Sequence, residues 1–198
     1  MYDMPSIQAL KNSLPKKVHW KREVNKQINN FWTQKLVEET SSKSSLKYLN
    51  IKNLEIEKSS NVWNLHLEPK LETRKDIVKA RMMTGSYILQ IDKHKFNNNS
   101  IDPTCPLCKA DDETIIHLIT TCPILSCIRE KHVTIIKETI LKKLTSETWT
   151  ERFNIKLAIT KLVIDCTSFE GCIGNDNVLM SEIEKHTRNF LFQLHVTD

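Results

Sequence analysis

Residues 105–122 read CPLCKADDETIIHLITTC, a spacing of Cys105-x2-Cys108-x8-His117-x4-Cys122. Two cysteines separated by two residues can put both sulfurs on one ion, because the chain between them makes a tight turn, stiffened here by Pro106. The second pair suits a short helix, with Asp111 placed to cap it, His117 inside it and Pro123 at its end. Three thiolates and one imidazole are the donors of a closed tetrahedral zinc site, so Cys105, Cys108, His117 and Cys122 are the expected ligands and zinc the expected cofactor. The competing reading, a redox pair with two bystanders, lacks the βαβ pattern that accompanies such pairs. Cys127 and His132 continue a five-residue rhythm after Cys122, so a register that uses one of them is left open by the spacing.

The same stretch bears on catalysis. A catalytic zinc keeps one position open for water, whereas this run offers four ligands. A nucleobase deaminase needs His-x-Glu ahead of its Pro-Cys-x-x-Cys, and nothing of that form precedes TCPLC at 104–108. Zinc with three thiolates and a neutral imidazole carries a net charge of −1, and Asp111, Asp112 and Glu113 lie beside it, so the knuckle itself repels phosphate. Its expected role is to fix the local fold.

Outward from the knuckle, the pattern is helical. With 3 Gly and 6 Pro in 198 residues, the chain is too poor in turn formers for many hairpins, and no strand alternation stands out. Trp20, Val24, Ile28, Phe31, Trp32, the stem of Lys35 and Leu36 form one helical stripe, which TSSKSS at 40–45 should end. Thr73 and Asp76 form a capping-box pattern, and Gly85 stands where a left-handed cap belongs, which predicts a helix from about Arg74 to Thr84. Ile77, Val78 and Met82 would then face the core, leaving Arg74, Lys75, Lys79 and Arg81 as a cationic outer surface able to track a phosphate backbone, or simply as a solvated face. Pro123 should open a helix carrying Ile128, Ile135, Ile136, Ile140 and Leu144; FNIKLAITKLVIDC is a further apolar segment; Leu179, Ile183, Phe190 and Leu194 outline a last helix. The expected fold class is mainly α, a helical bundle with a small embedded CCHC zinc knuckle. The four tryptophans read as core anchors rather than base-stacking platforms.

Charge is unevenly distributed. Residues 1–100 hold 18 Lys and Arg against 10 Asp and Glu, and residues 101–198 hold 11 against 14, so a net +8 half precedes a net −3 half. A polyanion such as RNA or DNA would prefer the first half. No small-molecule substrate is indicated. No apolar run is long enough to span a membrane, and Met1–Trp20 has no apolar core of the kind a secretory leader needs. A reducing, intracellular setting is the expectation, with six cysteines read as thiols or ligands rather than disulfides.

The stretch VKARMMTGSYILQIDKHKFNNNSIDPTCPLCKADDETIIHLITTCPILSCIR, residues 78–129, resembles the zinc-binding region at the C-terminal end of reverse transcriptases of non-LTR (LINE-type) retrotransposons. The resemblance is carried by Arg81, Thr84, Gly85, Tyr87, Leu89, Gln90, Phe96, Asn97, Cys105, Cys108, Glu113, His117, Cys122 and Arg129. Flanking stretches fit it as well: HWKREVNKQINNFW, KSSLKYLN and NVWNL upstream, LVIDCTS and IEKHTRNFLFQLH downstream. Lys109 departs from it, standing where a glycine often follows the second cysteine. The resemblance implies Cys105, Cys108, His117 and Cys122 as zinc ligands and a tail that binds the element's RNA or its target DNA, in the nucleus. The expected organisation has three parts: an N-terminal helical segment at 1–70, a reverse-transcriptase-type zinc-binding region at 71–145, and a C-terminal helical segment at 146–198. The paired-aspartate signature by which a polymerase palm holds catalytic magnesium is not found in the sequence, so binding without catalysis is expected. A zinc-stapled protein-interaction module, and a decayed fragment of such an element, are the competing readings.

Overall fold

The computed structural model describes residues 5–50, 69–173 and 176–197, so NVWNL and its Trp63 lie outside the described residues. Among these, the regular structure is helical, and one isolated antiparallel bridge pairs Thr104 with Asp112. The mainly α expectation holds. Described residues up to Lys47 form one unit and those from Tyr48 onward another.

In the first unit, α1 (Ile7–Asn12) starts where the Ser6 hydroxyl accepts the Ala9 N–H at 3.2 Å. Pro15 separates it from α2 (Lys17–Ser42), which at 26 residues is about 39 Å long. Trp20, Val24, Ile28, Phe31 and Leu36 are half-buried, as their stripe requires, but Trp32 and Lys35 are exposed, so Trp32 is not the core anchor expected of it. The helix ends where its polar run offers the backbone other partners: Thr40 Oγ1 donates to the Leu36 and Val37 carbonyls, Ser41 and Ser42 to those of Glu38 and Glu39.

The second unit is organised by α9 (Asn177–Thr197). Against it pack α3 (Pro69–Met83), α5 (Ser126–Leu141) and α7 (Lys156–Ile164). The predicted stripe of α9 is buried along its length: Leu179, Ile183, Phe190 and Leu194 join Ile136, Ile140, Leu162 and Ile164 in the core. Three short helices, α4 (Gln90–Phe96), α6 (Ser146–Arg152) and α8 (Glu170–Ile173), complete the unit. Trp149 on α6 is a core anchor, its ring 4.5 Å from that of Phe153 and tilted 34° to it.

Two stretches that share the resemblance meet here. The Asn50 backbone N–H donates to Asp165 Oδ2 at 2.7 Å and its side chain to the Thr167 carbonyl at 2.9 Å, joining KSSLKYLN to LVIDCTS.

Helix α3 corrects one expectation. It begins at Pro69 rather than near Arg74, and Asp76 is no cap: it is fully buried and accepts from Arg188 Nη1 of α9. The predicted end is right. Gly85 has φ 65°, and the Ser86 N–H reaches the Arg81 carbonyl at 2.9 Å, the closing bond of a Schellman cap.

Candidate metal centre

The knuckle is built from a turn and a helix end. Its two arms are tied by the bridge, by Cys105 N–H to the Asp111 carbonyl at 2.9 Å and by Glu113 N–H to the Pro103 carbonyl at 2.8 Å. Between the arms, Lys109 N–H closes on the Cys105 carbonyl at 2.9 Å, which folds Cys108 back over Cys105. Lys109 leaves that turn with φ 53°. Such a left-handed backbone favours glycine, the residue the related pattern often carries there. Lys109→Gly is therefore expected to raise the stability of the folded protein by about 0.5–1 kcal/mol, read as a shift in the denaturant midpoint.

The second pair of donors sits on the turn His117–Thr121. Thr114, not Asp111, caps it, its hydroxyl accepting the His117 N–H at 3.1 Å. The turn has π geometry, with the Cys122 N–H on the His117 carbonyl, five residues back, at 2.9 Å. In an α-helix, residues five apart point about 140° from each other. The wider turn makes five residues close to one full revolution, which brings Cys122 round to the side of His117.

The four side chains converge. One ligand atom from each of Cys105, Cys108, His117 and Cys122 lies within 4.8 Å of the others, and Cys108 Sγ is 3.3 Å from His117 Nε2. Zinc–sulfur bonds of about 2.3 Å put tetrahedral sulfurs about 3.8 Å apart, so the cluster needs little contraction to hold the ion. Cys105 and Cys122 are fully buried and His117 nearly so. Burial pushes the Cys105 thiol up to about 11, while the Ala110 backbone N–H holds Cys108 below the usual thiol range. Burial also lowers His117, against the pull of Asp111, keeping its imidazole in the neutral form a metal needs.

Around the donors lie groups to which the sequence pattern assigned no role. His117 Nδ1 faces Thr121 Oγ1 at 3.1 Å and Asp111 Oδ2 at 3.6 Å, which turns Nε2 inward. Arg129 donates through Nε to the Ile119 carbonyl at 3.0 Å and through Nη2 to the Cys122 carbonyl at 2.5 Å, clamping the end of the ligand-bearing turn. Buried Glu113 accepts the Gln90 N–H at 2.6 Å, joining the knuckle to the start of α4. Glu113 and Arg129 belong to the resemblance, which was the signal available for them, since each lies beside other charged residues in the sequence. The two alternative ligands are placed elsewhere. Cys127 is exposed, and His132 stacks on Phe190 at 5.3 Å with Nε2 against Gln193 Oε1 at 2.8 Å.

The expected cationic face of α3 is only half there. Arg74 and Arg81 are exposed, but Lys75 pairs with Glu72 at 2.7 Å and Lys79 is 0% exposed. Lys79 Nζ lies 2.7 Å from Glu184 Oε1 and donates to Thr187 Oγ1 at 2.6 Å, so it belongs to the α3–α9 interface and not to an outer surface. Ile77, expected in the core, is 39% exposed in turn.

The Cys3His cluster, buried except for half-buried Cys108, is compatible by donor set and geometry with a CCHC zinc site. Residues 40–128 match the family model described as zinc-binding in reverse transcriptase. No curated protein and no solved structure matches the chain. Among the described residues, no helix is long and apolar enough to cross a membrane.

Proposed function

We propose that this chain is a nucleic-acid-binding module whose zinc, held by Cys105, Cys108, His117 and Cys122, is structural. It resembles the tail that follows the polymerase in a non-LTR retrotransposon reverse transcriptase, and it acts by binding without polymerase chemistry of its own. Bound zinc supplies cross-linking of the two knuckle arms; four protein donors leave it no position for water. The donors' own surroundings, with Asp111 and Asp112 exposed beside them, disfavour phosphate at the metal.

The observation that carries the reading is the unbalanced charge of the N-terminal helices. Across residues 5–43 there are eight Lys and Arg, all exposed, against three acids, Glu23, Glu38 and Glu39, and seven of the eight precede Glu38. By the helical period, Lys17, Lys21, Arg22 and Lys26 occupy one half of the α2 surface and Glu23 the other. Arg74 and Arg81 add exposed cations on α3.

Fluorescence anisotropy with labelled RNA and DNA over a range of potassium chloride concentrations tests this. The expected log–log slope is about −0.7 to −0.9 for each phosphate engaged. Replacing Lys17, Lys21, Arg22 and Lys26 by Gln should flatten that slope by several phosphate contacts, and Arg74→Gln with Arg81→Gln by a smaller amount. Binding that is flat in salt and unmoved by these changes would contradict the proposal and favour a protein-docking role.

A further inference from the structure

The end of α4 carries an aromatic side chain where a folded protein seldom leaves one. Phe96 is 76% exposed. Phenylalanine is among the residues most often buried, and Leu89, which caps the other end of the same helix, is buried in the core. The tip is also rigidly built. Asn97 N–H and Asn97 Nδ2 both reach the Lys93 carbonyl, at 3.0 and 2.8 Å, and Asn99 N–H reaches that of His94 at 2.8 Å. His94 Nδ1 donates to the Ile101 carbonyl at 2.5 Å, and Ser100 Oγ to the Asn97 carbonyl at 2.7 Å. Asn98 and Asn99 take φ of 50° and 62° to complete the reversal. The ring is held out on a hydrogen-bonded loop, so contacting it costs little ordering.

Its surroundings say what would use it. Lys93 and Lys95 flank it, both exposed and, among the described residues, in no ion pair. Asn97, Asn98, Asn99 and Ser100 follow, all exposed. The nearest acid in the chain, Asp92, is turned back onto the Leu89 N–H at 3.1 Å. A protein hot spot surrounds its aromatic anchor with a rim that excludes water, and the chain around Phe96 offers cations and amides instead. An exposed aromatic ring with two exposed cations within three residues of it is an arrangement that can stack an unpaired base while the cations hold neighbouring phosphates.

We infer that Phe96, with Lys93 and Lys95, is a stacking site for a single-stranded nucleic-acid segment. The inference rests on the nucleic-acid reading above, and names one contact and the strandedness it selects. Base stacking needs an unpaired base, so a duplex gains nothing from the ring.

The test is anisotropy with fluorescein-labelled 20-nucleotide oligo(U) and oligo(dT), and with a 20-base-pair duplex, on the zinc-loaded full chain and its Phe96→Ala, Phe96→Leu and Phe96→Trp variants. Phe96→Ala should weaken single-strand binding by about 5- to 150-fold and leave duplex binding and the melting midpoint unchanged. Phe96→Leu should behave like Phe96→Ala, and Phe96→Trp like the parent. Comparing the two oligonucleotides shows whether RNA or DNA gains more from the ring. Single-strand binding that is equal in the parent and Phe96→Ala, or fully restored by Leu, would overturn stacking while leaving nucleic-acid binding intact. A parent chain that binds none of the probes would overturn both readings.

Discussion

Cys105→Ala, Cys122→Ser or chelation of the metal is expected to unfold the segment from Ile101 to Leu125 and to lower the stability of the whole second unit. Structural zinc contributes folding energy outright, with apparent values of about 10–16 kcal/mol in isolated knuckle and finger peptides. The consequence here reaches further than the knuckle. Leu118, Ile119 and Leu125 share the ligand-bearing segment and are fully buried, and its π turn packs against α5, α7 and α9. Releasing Cys122 lets that turn relax to α geometry, which swings residues five apart away from each other and pulls Leu118 and Ile119 out of register. Circular dichroism melts with and without chelator, together with amide exchange over 101–125, measure this. The expected record is loss of protection in that segment and a lower midpoint overall. Coincident melts and unchanged exchange would show a knuckle that holds without metal.

The second large effect is expected from Lys79→Met. Lys79 and Glu184 are 0% and 3% exposed, and their pair sits in a buried row in which Asp76 and Glu72 of α3 meet Arg188 of α9, Glu72 at 2.5 Å. Removing one member of a buried pair leaves its partner charged and desolvated, which costs about 3–5 kcal/mol. A whole domain is stable by only about 5–15 kcal/mol, so such a variant would be marginal. Glu184 has one further donor, the Cys166 thiol at 3.3 Å, which is too weak to replace an ammonium. Adding Glu184→Leu to Lys79→Met removes the orphaned charge and should recover most of the loss. Urea denaturation of the single and double variants gives both numbers. A single variant within about 1 kcal/mol of the parent would mean that the pair contributes little to register or stability.

How much of this was legible in the sequence depends on the range of the interaction. The stripe of α9 was readable because Leu179, Ile183, Phe190 and Leu194 report burial through a local period, and all four are buried. The end of α3 was readable because Gly85 alone of the nearby residues takes a left-handed backbone without strain. The start of α3 was not, because Thr73 and Asp76 have the spacing of a cap, and spacing cannot say that Asp76 instead meets Arg188, 112 positions later. Lys79 was misread for the same reason. A lysine among lysines looks solvated until the partner 105 residues away, Glu184, is brought against it.

The knuckle was legible because all four donors lie within 18 residues, close enough for spacing to limit geometry. What spacing could not show is how donors five positions apart, His117 and Cys122, come to one side, since that depends on a π turn. The cap moved from Asp111 to Thr114, because Asp111 already gives its carbonyl to Cys105 and its carboxylate faces His117.

The most direct test of the central claim is the zinc content of the purified protein with X-ray absorption at the zinc edge. The account predicts one zinc per chain, with three sulfurs at about 2.3 Å and one nitrogen at about 2.0–2.1 Å. A metal-free protein, or a zinc shell holding oxygen or a fourth sulfur, would contradict the assignment of Cys105, Cys108, His117 and Cys122.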